Sequence, residues 1–513
     1  MIFLRKTFSL AYHMTFLKLP KPIGWLFCLT FLIFLLYRIL LIKTVQTDLG
    51  GIENAVVYFI QRSLAGISIY TDPELAPYSI NQYGPLYYML AHFAGSIAGT
   101  DPDDVLSVFM LNRTISLVLN ILYVSVIILI ASHIFSLGTR KSMAAAVICF
   151  IFLEITSFAR TDSLNHFLFF LSIYFFLLWE KKRQVHTYLL VTSALIAVAA
   201  IFTKQSSFTI PVLVGSWLLI TKKNKDLLVF TLSCLLGTLI ALIMIHVKWG
   251  LPVFFKNAVE GLNNGINAGL FWGNIIKPFF ASFGLLFIPL AALVYHKLKK
   301  EHHFYLRFTA FALILQFSIS ALLSLKFGSH INYFTEFWTL LILGCAFYWD
   351  YANIKFKKSF PAFPLLFLSF ILILKIGLIS FPLYEELNND QQTRKAYFDR
   401  EKNLALRIKK NIEASPHQLV FNDLFSPHSY LNNLLYRSAI MPQYEIVFFT
   451  TYKRKVFDYS HFKNIFKTGQ VAYIITRSAV EKPEFMDFSI ENYKLVSDKD
   501  GYRVFAYEGT SYK

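Results

Sequence analysis

The sequence predicts an α-helical polytopic membrane protein with a small α/β domain at its C-terminus. Of its 513 residues, 56% are hydrophobic and only 16% are charged, whereas a soluble protein carries about a quarter charged residues. Apolar runs of about twenty residues recur, and an α-helix needs this length to cross a bilayer. This composition excludes a single soluble globular domain and a disordered chain. The continuous runs also disfavour an outer-membrane β-barrel, whose strands alternate.

The apolar runs define the predicted domains. Because a span of about 17–25 apolar residues crosses the bilayer, we expect about eleven transmembrane helices. We place them at 22–42, 106–135, 142–158, 163–179, 187–203, 206–220, 227–246, 272–295, 305–325, 333–349 and 361–383. The chain then divides into a transmembrane domain, 1–383, with an external loop at 43–105, and a soluble extracytoplasmic α/β domain, 384–513.

The C-terminal domain has short segments rich in β-forming residues instead of long apolar runs. We predict a polar helix near 393–412 and strands at Gln418–Asn422, Ile446–Thr450 and Val471–Thr476. Asp500-Gly501, between Tyr493–Ser497 and Tyr502–Tyr507, is typical of a hairpin turn.

The positive charge of the chain belongs to its membrane part. The net charge is +18, but residues 1–383 hold about 30 Lys and Arg against about 15 acids, and the tail is nearly balanced. One set of alternate loops, with the N-terminal arm, carries about 19 Lys and Arg and about 4 acids. The positive-inside rule therefore predicts a cytoplasmic N-terminus and an external C-terminal domain, and no nucleic-acid partner is expected.

Two carboxylates follow the first predicted span. Asp48 begins the external loop, and Glu53 comes at the start of a predicted helix that runs to Ala65. The residue type and position of Asp48 suit a helix N-cap as well as a general base. We predict catalytic roles for Asp48 and Glu53.

Other polar residues lie near the same ends of the predicted spans, where side chains can meet water. The candidates for substrate binding are Tyr83, Tyr87, Arg113, Arg160, Asp162, Lys204, Gln205, Asn332, Tyr333 and Glu336. Simpler interpretations exist: the tyrosines suit interfacial anchors, Arg160 and Asp162 can neutralise each other, and Lys204 can extend to the surface. Glu336 lies about a turn inside a span, where a carboxylate is costly and favours a functional role.

Motifs for nucleotide and zinc chemistry are missing from the sequence. There is no Walker A or GxGxxG sequence, and no HExxH or H-x-x-H spacing. Direct use of a nucleotide and a protein-built zinc site are therefore not supported. A divalent cation stays open, and no cofactor is certain.

The order of these motifs resembles the GT-C superfamily of polytopic glycosyltransferases, and in particular its protein-mannosyltransferase and aminoarabinose-transferase branch. The matching stretches cover roughly 45–340 and are Asp48…Glu53, Gly66…Tyr70…Tyr83-Gly84-Pro85-Leu86-Tyr87-Tyr88, Arg113, Arg160-Thr161-Asp162, Thr203-Lys204-Gln205 and Asn332-Tyr333-Phe334…Glu336. The topology with an external C-terminal domain also fits this superfamily.

The resemblance implies transfer of a sugar, a hexose or a pentose, from a polyprenyl-phosphate donor to an extracytoplasmic lipid, glycan or protein. Asp48 would be the general base, and Lys204 and Arg160, with Arg113, would hold the donor phosphate. Glu53, Asp162 and Glu336 would orient sugar hydroxyls or a cation. The expected location is the bacterial inner (plasma) membrane, in cell-envelope glycosylation.

Two other classes of protein share many spans. A lipid or glycan transporter, or flippase, is disfavoured because the sequence has no evident inverted repeat and its acids cluster outside mid-membrane. An O-antigen polymerase or ligase would be expected to have its largest loop between late spans, whereas the largest predicted loop here, 43–105, is early.

Overall fold

The structure is a computed structural model, and it describes residues 21–45, 52–153, 159–182, 185–276, 303–329, 331–356, 391–413, 418–422, 429–441, 447, 449–477, 491–508, 510 and 512. Its helices, in chain order, are α1 Lys21–Ile42, α2 Glu53–Leu64, α3 Leu86–Ala98, α4 Val105–Leu129, α5 Thr139–Phe152, α6 Asp162–Lys181, α7 Thr187–Ile201, α8 Thr209–Ile220, α9 Asn224–Trp249, α10 Leu251–Ala258, α11 Ala268–Phe271, α12 Phe304–Ser324, α13 Thr335–Phe356, α14 Gln391–Glu413, α15 Leu431–Leu434, α16 Phe449–Lys453 and α17 Ser460–Lys467. Short 3-10 turns at Gln205–Phe208 and Ile331–Phe334 precede α8 and α13.

The chain is an integral membrane protein. Among the described residues, five helices are long and apolar enough to cross a membrane: Trp25–Ile42, Val105–Ile134, Asp162–Lys181, Asn224–Trp249 and Phe304–Ser324. Helices also form at the predicted spans 187–203, 206–220 and 333–349. The span predicted at 361–383 and most of the one at 272–295 lie outside the described residues, so the count of eleven stays a prediction.

The burial of the helices separates a packed core from a lipid-facing rim. In α6, 72% of the apolar window is buried inside the protein, and the corresponding share in α9 is only 11%. An apolar helix that stays exposed is stable in lipid and not in water. Helix α6 packs between α4 and α7, and the polar residues of its first turn lie inside the bundle.

The C-terminal part forms one mixed five-stranded sheet. The strands are β1 Leu419–Asn422, β2 Ala439–Ile440, β3 Val471–Arg477, β4 Tyr493–Lys499 and β5 Tyr502–Tyr507, in the order β2-β1-β3-β5-β4. The pairs β1–β2 and β1–β3 are parallel, and β3–β5 and β4–β5 are antiparallel. The helix near 393–412 and the β4–β5 hairpin are confirmed, and Asp500 and Gly501 have positive φ angles of 58° and 86°, as a tight hairpin turn requires.

One strand prediction is wrong. The end of the segment Ile446–Thr450 begins the helix Phe449–Lys453. The hydroxyl groups of Thr450 and Thr451 donate to the Val447 carbonyl at 3.1 and 2.8 Å. Such local side-chain bonds favour a turn over a sheet ladder, and β-propensity alone does not detect them.

The C-terminal part docks on the loop that follows the first helix. The side chains of Asn433 and Gln61 pair through Nδ2 and Oε1 at 3.1 Å, and the Asn54 amide donates to the Ser429 carbonyl at 3.0 Å. Farther along the loop, the Tyr78 hydroxyl and His461 Nδ1 are 2.7 Å apart. These contacts hold the C-terminal part against the loop at 43–105.

Candidate active site

The first turn of α6 supplies the polar groups around which the site is built. Asp162, Asn165 and His166 are spaced i, i+3 and i+4, so they share one helix face. All three are buried. Because buried polar groups need partners, this face draws together side chains from two other segments of the bundle.

Asp162 lies at the centre of a charge cluster. Its Oδ1 accepts hydrogen bonds from Lys204 Nζ at 2.6 Å and from Asn332 Nδ2 at 2.9 Å, and its Oδ2 lies 3.3 Å from Arg160 Nε. The ring of Tyr333 lies 4.7 Å from Lys204 Nζ, within cation–π range. We call Arg160, Asp162, Lys204 and Asn332 the Asp162 cluster. Two cations and one carboxylate give it a formal charge of +1.

Burial and charge act in opposite directions on Lys204. Burial alone lowers the pKa of its amine, but the carboxylate of Asp162 outweighs burial, so the pKa lies above its ordinary value. The amine therefore stays protonated at every physiological pH.

The second polar group on this face holds Glu336. Oε1 of Glu336 accepts from His166 Nδ1 at 2.8 Å and from Asn165 Nδ2 at 3.1 Å. Ser207 in turn donates to Oδ1 of Asn165. Glu336 is thus fixed from the α6 side, and it lines a polar cavity together with Lys204, Asn332 and Tyr333.

The segment Gln82–Pro85 lies against the turn that carries Lys204. The amides of Gly84 and Leu86 donate to the carbonyls of Thr203 and Phe202, both at 3.2 Å. A Cβ atom at residue 84 would lie 1.9 Å from the Phe202 carbonyl oxygen. Only glycine permits this approach, which explains on steric grounds why residue 84 of the Tyr83-Gly84-Pro85 motif is a glycine.

Of the neighbouring predicted site residues, one lies beside the Asp162 cluster and two bind other parts of the protein. Burial raises the pKa of Tyr83, and the charges of Arg160, Asp162 and Lys204 also act on it, so Tyr83 lies beside the Asp162 cluster. The Tyr87 hydroxyl instead donates to Asn112 Oδ1 at 2.7 Å, on α4. Gln205 donates to the Gln82 carbonyl at 2.7 Å. Tyr87 and Gln205 thus brace the loop around the cluster.

Arg113 and Glu53 form a separate buried pair. Arg113 Nε and Nη2 lie 2.7 and 2.9 Å from the two Glu53 oxygens, and Nη1 donates to the carbonyls of Leu41 and Thr44 at 3.1 and 2.8 Å. This guanidinium ties the end of α1 to the start of α2. The structure thus pairs Arg113, a candidate for substrate binding, with Glu53, a candidate catalytic residue.

The structure brings together six of the predicted site residues. They are Tyr83, Arg160, Asp162, Lys204, Asn332 and Tyr333, and Glu336 joins them across the cavity. Asp48, the predicted general base, lies outside the described residues, between Val45 and Ile52. Among the residues that the structure does describe, no group of three His, Cys, Asp or Glu side chains is arranged to hold a metal ion.

Comparison with solved structures identifies the architecture. Two crystal structures of ArnT from Cupriavidus metallidurans match almost the whole chain. One is bound to undecaprenyl phosphate, with a TM-score of 0.60, 12% sequence identity and coverage of 94% of this chain and 98% of that chain. The other is in the apo state, with a TM-score of 0.59, 12% identity and coverage of 95% and 98%. The chain has the ArnT fold.

The GT-C-like fold expected from the sequence resemblance is thereby confirmed. Neither a protein-family model nor a curated protein matches the sequence. At 12% identity, the likeness to ArnT concerns the fold, and the roles of individual residues rest on the geometry above.

Sequence reasoning missed several residues of the site. Asn165, His166 and Ser207 fix Glu336, and Gln316 and Ser320 of α12 line the cavity. A signal for the first two was present, because Asn165 and His166 follow Asp162 at i+3 and i+4 in an apolar helix. Gln316 and Ser320 are likewise four residues apart, on one helix face.

Proposed function

We propose that the protein is a membrane glycosyltransferase that moves a sugar from a polyprenyl-phosphate donor to an acceptor outside the cytoplasm. The observation that carries this proposal is the buried Asp162 cluster, with its formal charge of +1 beside a polar cavity. A sugar-bearing polyprenyl phosphate is a phosphodiester with one negative charge. Its apolar tail would stay among the lipid-facing helices.

The chemistry needs a base and a charge acceptor. In the proposed step, an acceptor hydroxyl forms a bond to the anomeric carbon while the bond from that carbon to the phosphate oxygen breaks. The hydroxyl proton goes to Asp48, and the electron pair leaves with the polyprenyl phosphate, whose charge grows from one to two. Lys204 and Arg160 would stabilise that added charge, which lowers the barrier because it is greatest late in the reaction.

The fold supports this proposal, because the ArnT structure with the same architecture is bound to undecaprenyl phosphate. The proposal includes the bacterial inner membrane as location and an external C-terminal domain. A transporter remains the second class, and release of free polyprenyl phosphate on incubation with a donor would separate the two.

The proposal is tested by the binding of undecaprenyl phosphate, which needs no knowledge of the sugar. In lipid nanodiscs, Lys204→Met should weaken binding by about 10-fold or more, because a charge-assisted hydrogen bond contributes roughly 1.5–3 kcal/mol. The matched control is Lys223→Met. Lys223 is also paired with a carboxylate, Glu180, and lies 5.3 Å from the ring of Trp179.

Lys223 lies at the opposite end of α6, so its variant should bind undecaprenyl phosphate as the wild type does. If the wild type binds no undecaprenyl phosphate, or if both variants lose binding equally, the proposed function is wrong. Asp48→Asn should keep binding but lose sugar transfer, since it removes a base and no cation.

A further inference from the structure

The polar cavity beside the Asp162 cluster has a composition that the phosphate alone does not explain. Its walls come from the turn before α8, from α12 and from the start of α13, and they include Ser206, Thr209, Gln316, Ser320, Asn332 and Glu336. These are hydroxyl, amide and carboxylate groups in an apolar bundle. Polar side chains inside a membrane protein are costly and usually serve a ligand or water pathway.

Glu336 lines this cavity, and its two oxygens differ in their hydrogen bonds. Its Oε1 accepts two hydrogen bonds, from His166 and Asn165. Within the part of the chain that the structure describes, no hydrogen bond reaches its Oε2. A carboxylate oxygen held in this way is a strong acceptor whose direction is fixed.

The side-chain oxygen of Asn332 is a second acceptor without a hydrogen-bond partner among the described residues. Asn332 donates its amide to Asp162 at 2.9 Å, and its Oδ1 is buried without a hydrogen-bond partner among the described residues. An unpaired buried acceptor costs about 1–3 kcal/mol. Both acceptors therefore favour a ligand that brings hydrogen-bond donors.

The chemistry of the ligand follows from these groups. A phosphate brings only acceptors, and the Glu336 carboxylate would repel it. An ammonium group would meet Lys204, whose charged amine lines the same cavity. A neutral hydroxyl group can donate to an acceptor without either repulsion, and the serine and threonine hydroxyls can exchange hydrogen bonds with it.

We infer that the cavity, which has room for one water-sized group, receives a single hydroxyl group of the transferred sugar, and that Glu336 accepts a hydrogen bond from this hydroxyl. His166 and Asn165 are positioning residues, because they act through Glu336. This inference rests on the proposed function and adds to it that sugar recognition is separate from phosphate binding. Selectivity between sugars then depends on Glu336 and the α12 wall.

The test compares a carrier with and without its sugar. Binding of undecaprenyl phosphate, and of undecaprenyl phosphate carrying glucose, mannose, galactose or arabinose, is measured in nanodiscs. For the wild type, at least one sugar should increase the affinity over the bare carrier. Glu336→Gln should remove about 10-fold or more of that increase, since a site built for a hydroxyl depends strongly on its charged partner.

The variants of His166 separate positioning from folding. His166→Ala should lose most of the sugar-dependent affinity, and His166→Asn should restore part of it, because the Asn amide can occupy the place of the Nδ1 donor. Ser318→Ala is the control, since Ser318 lies exposed on α12 and donates to the Ile314 carbonyl of its own helix. It should bind every carrier as the wild type does.

The outcomes show separately whether the inferred sugar site and the proposed function are correct. If the bare carrier binds the wild type but Glu336→Gln weakens bare and glycosylated carriers equally, the inference is overturned and the proposed function stands. The same holds if no sugar increases the affinity of the wild type. If the wild type binds neither kind of carrier, both fail together.

Discussion

Helix α6 has a lysine–carboxylate pair at each end, and the two pairs differ in what surrounds them. At its start, Lys204 pairs with Asp162 beside the Tyr333 ring, and at its end, Lys223 pairs with Glu180 beside the Trp179 ring. Among the residues that the structure describes, the first pair alone has a second cation near its carboxylate, Arg160 at 3.3 Å, and this pair adjoins the polar cavity.

The difference shows why a buried charge pair does not by itself identify an active site. A pair whose charges cancel is complete and contributes to packing or to helix orientation. The Asp162 cluster has two cations for one carboxylate, and Asn332 Oδ1 has no hydrogen-bond partner among the described residues, so under the proposed function we expect a ligand to bind there. Two properties therefore distinguish buried charged groups: whether their charges cancel, and whether all their hydrogen-bonding atoms have partners. Both can be varied at other buried groups of the protein.

The largest loss of stability is expected at the Arg113–Glu53 pair, whose charges cancel and whose guanidinium also binds backbone carbonyls. Arg113→Met leaves Glu53 buried without its partner and releases the carbonyls of Leu41 and Thr44. Breaking such a pair costs roughly 3–5 kcal/mol, so thermal unfolding in detergent should begin at a clearly lower temperature.

The control for Arg113 is Arg437→Met. Arg437 is an exposed residue, 3.5 Å from Asp103, and exposed pairs contribute less than about 1 kcal/mol. An unchanged unfolding temperature in Arg113→Met would contradict the expected difference in stability between a buried ion pair and an exposed one.

The next effect concerns a buried carboxyl group that accepts several hydrogen bonds but has no cation paired with it among the described residues. Glu401 accepts from the Tyr430 amide at 2.6 Å and from the Tyr502 hydroxyl at 3.0 Å, and burial raises its pKa to about 7 from an ordinary value of 4.5. Between these values the unfolded chain releases a proton and the native chain keeps it. Native stability should therefore fall as the pH rises from about 4.5 to about 7, and level off above.

Glu401→Gln removes this dependence. The difference in unfolding free energy between wild type and variant should change by at most about 3 kcal/mol between pH 4.5 and pH 8, because one pKa unit corresponds to about 1.4 kcal/mol. It is measured by unfolding the full-length protein at several pH values. Glu413→Gln, at an exposed carboxyl of the same helix, serves as the reference, and a parallel pH response in all three proteins would refute the assignment.

The smallest effect, a pH-dependent change in the affinity for undecaprenyl phosphate, is expected at Lys326. Lys326 follows the cavity wall of α12, and among the described residues no carboxylate pairs with it. Burial and the charge of Lys204 lower its pKa to about 8. The segment that faces it, around Ile266, lies next to Arg454 of the C-terminal part, which contacts Gly265, so Arg454 is a second cation near this segment.

As the pH rises from 7 to 9, Lys326 loses its charge, and the affinity for undecaprenyl phosphate should fall by about fivefold through the lost Coulombic attraction. Lys326→Arg stays charged and should flatten this part of the profile, whereas Lys248→Arg, at an exposed lysine of α9, should not change it. Identical profiles in wild type and Lys326→Arg would show that Lys326 does not contribute.

Much of the fold could be predicted from the sequence because lipid imposes a simple rule. Apolar runs such as 22–42 and 163–179 become helices since every backbone group must be bonded internally. The loop 43–105 was predicted only in part: the helix that starts at Glu53 was expected from the sequence, whereas the helix Leu86–Ala98, which packs against Glu53–Leu64 and Val105–Leu129, was not. The helix at Phe449–Lys453 depends on local threonine hydrogen bonds.

The site was predictable in its residue types and not in its pairings. Asp162, Lys204 and Asn332 stand out as polar residues at span ends, but nothing in the chain order indicates that they meet in one cluster. The partner of Arg113 is a further example, since Glu53 and Glu336 were equally suitable carboxylates by type. His166 and Gln316 were overlooked because a lone polar residue in an apolar helix is usually a satisfied core residue.

The approach of Gly84 to the Phe202 carbonyl has a mechanical consequence. Because Gly84 has no side chain, its backbone is in direct contact with the backbone of Phe202, and close packing of this kind transmits displacements. Under the proposed function, a substrate that displaces Tyr83 would therefore also displace the amine of Lys204, and binding of the phosphate by that amine would change the position of Tyr83.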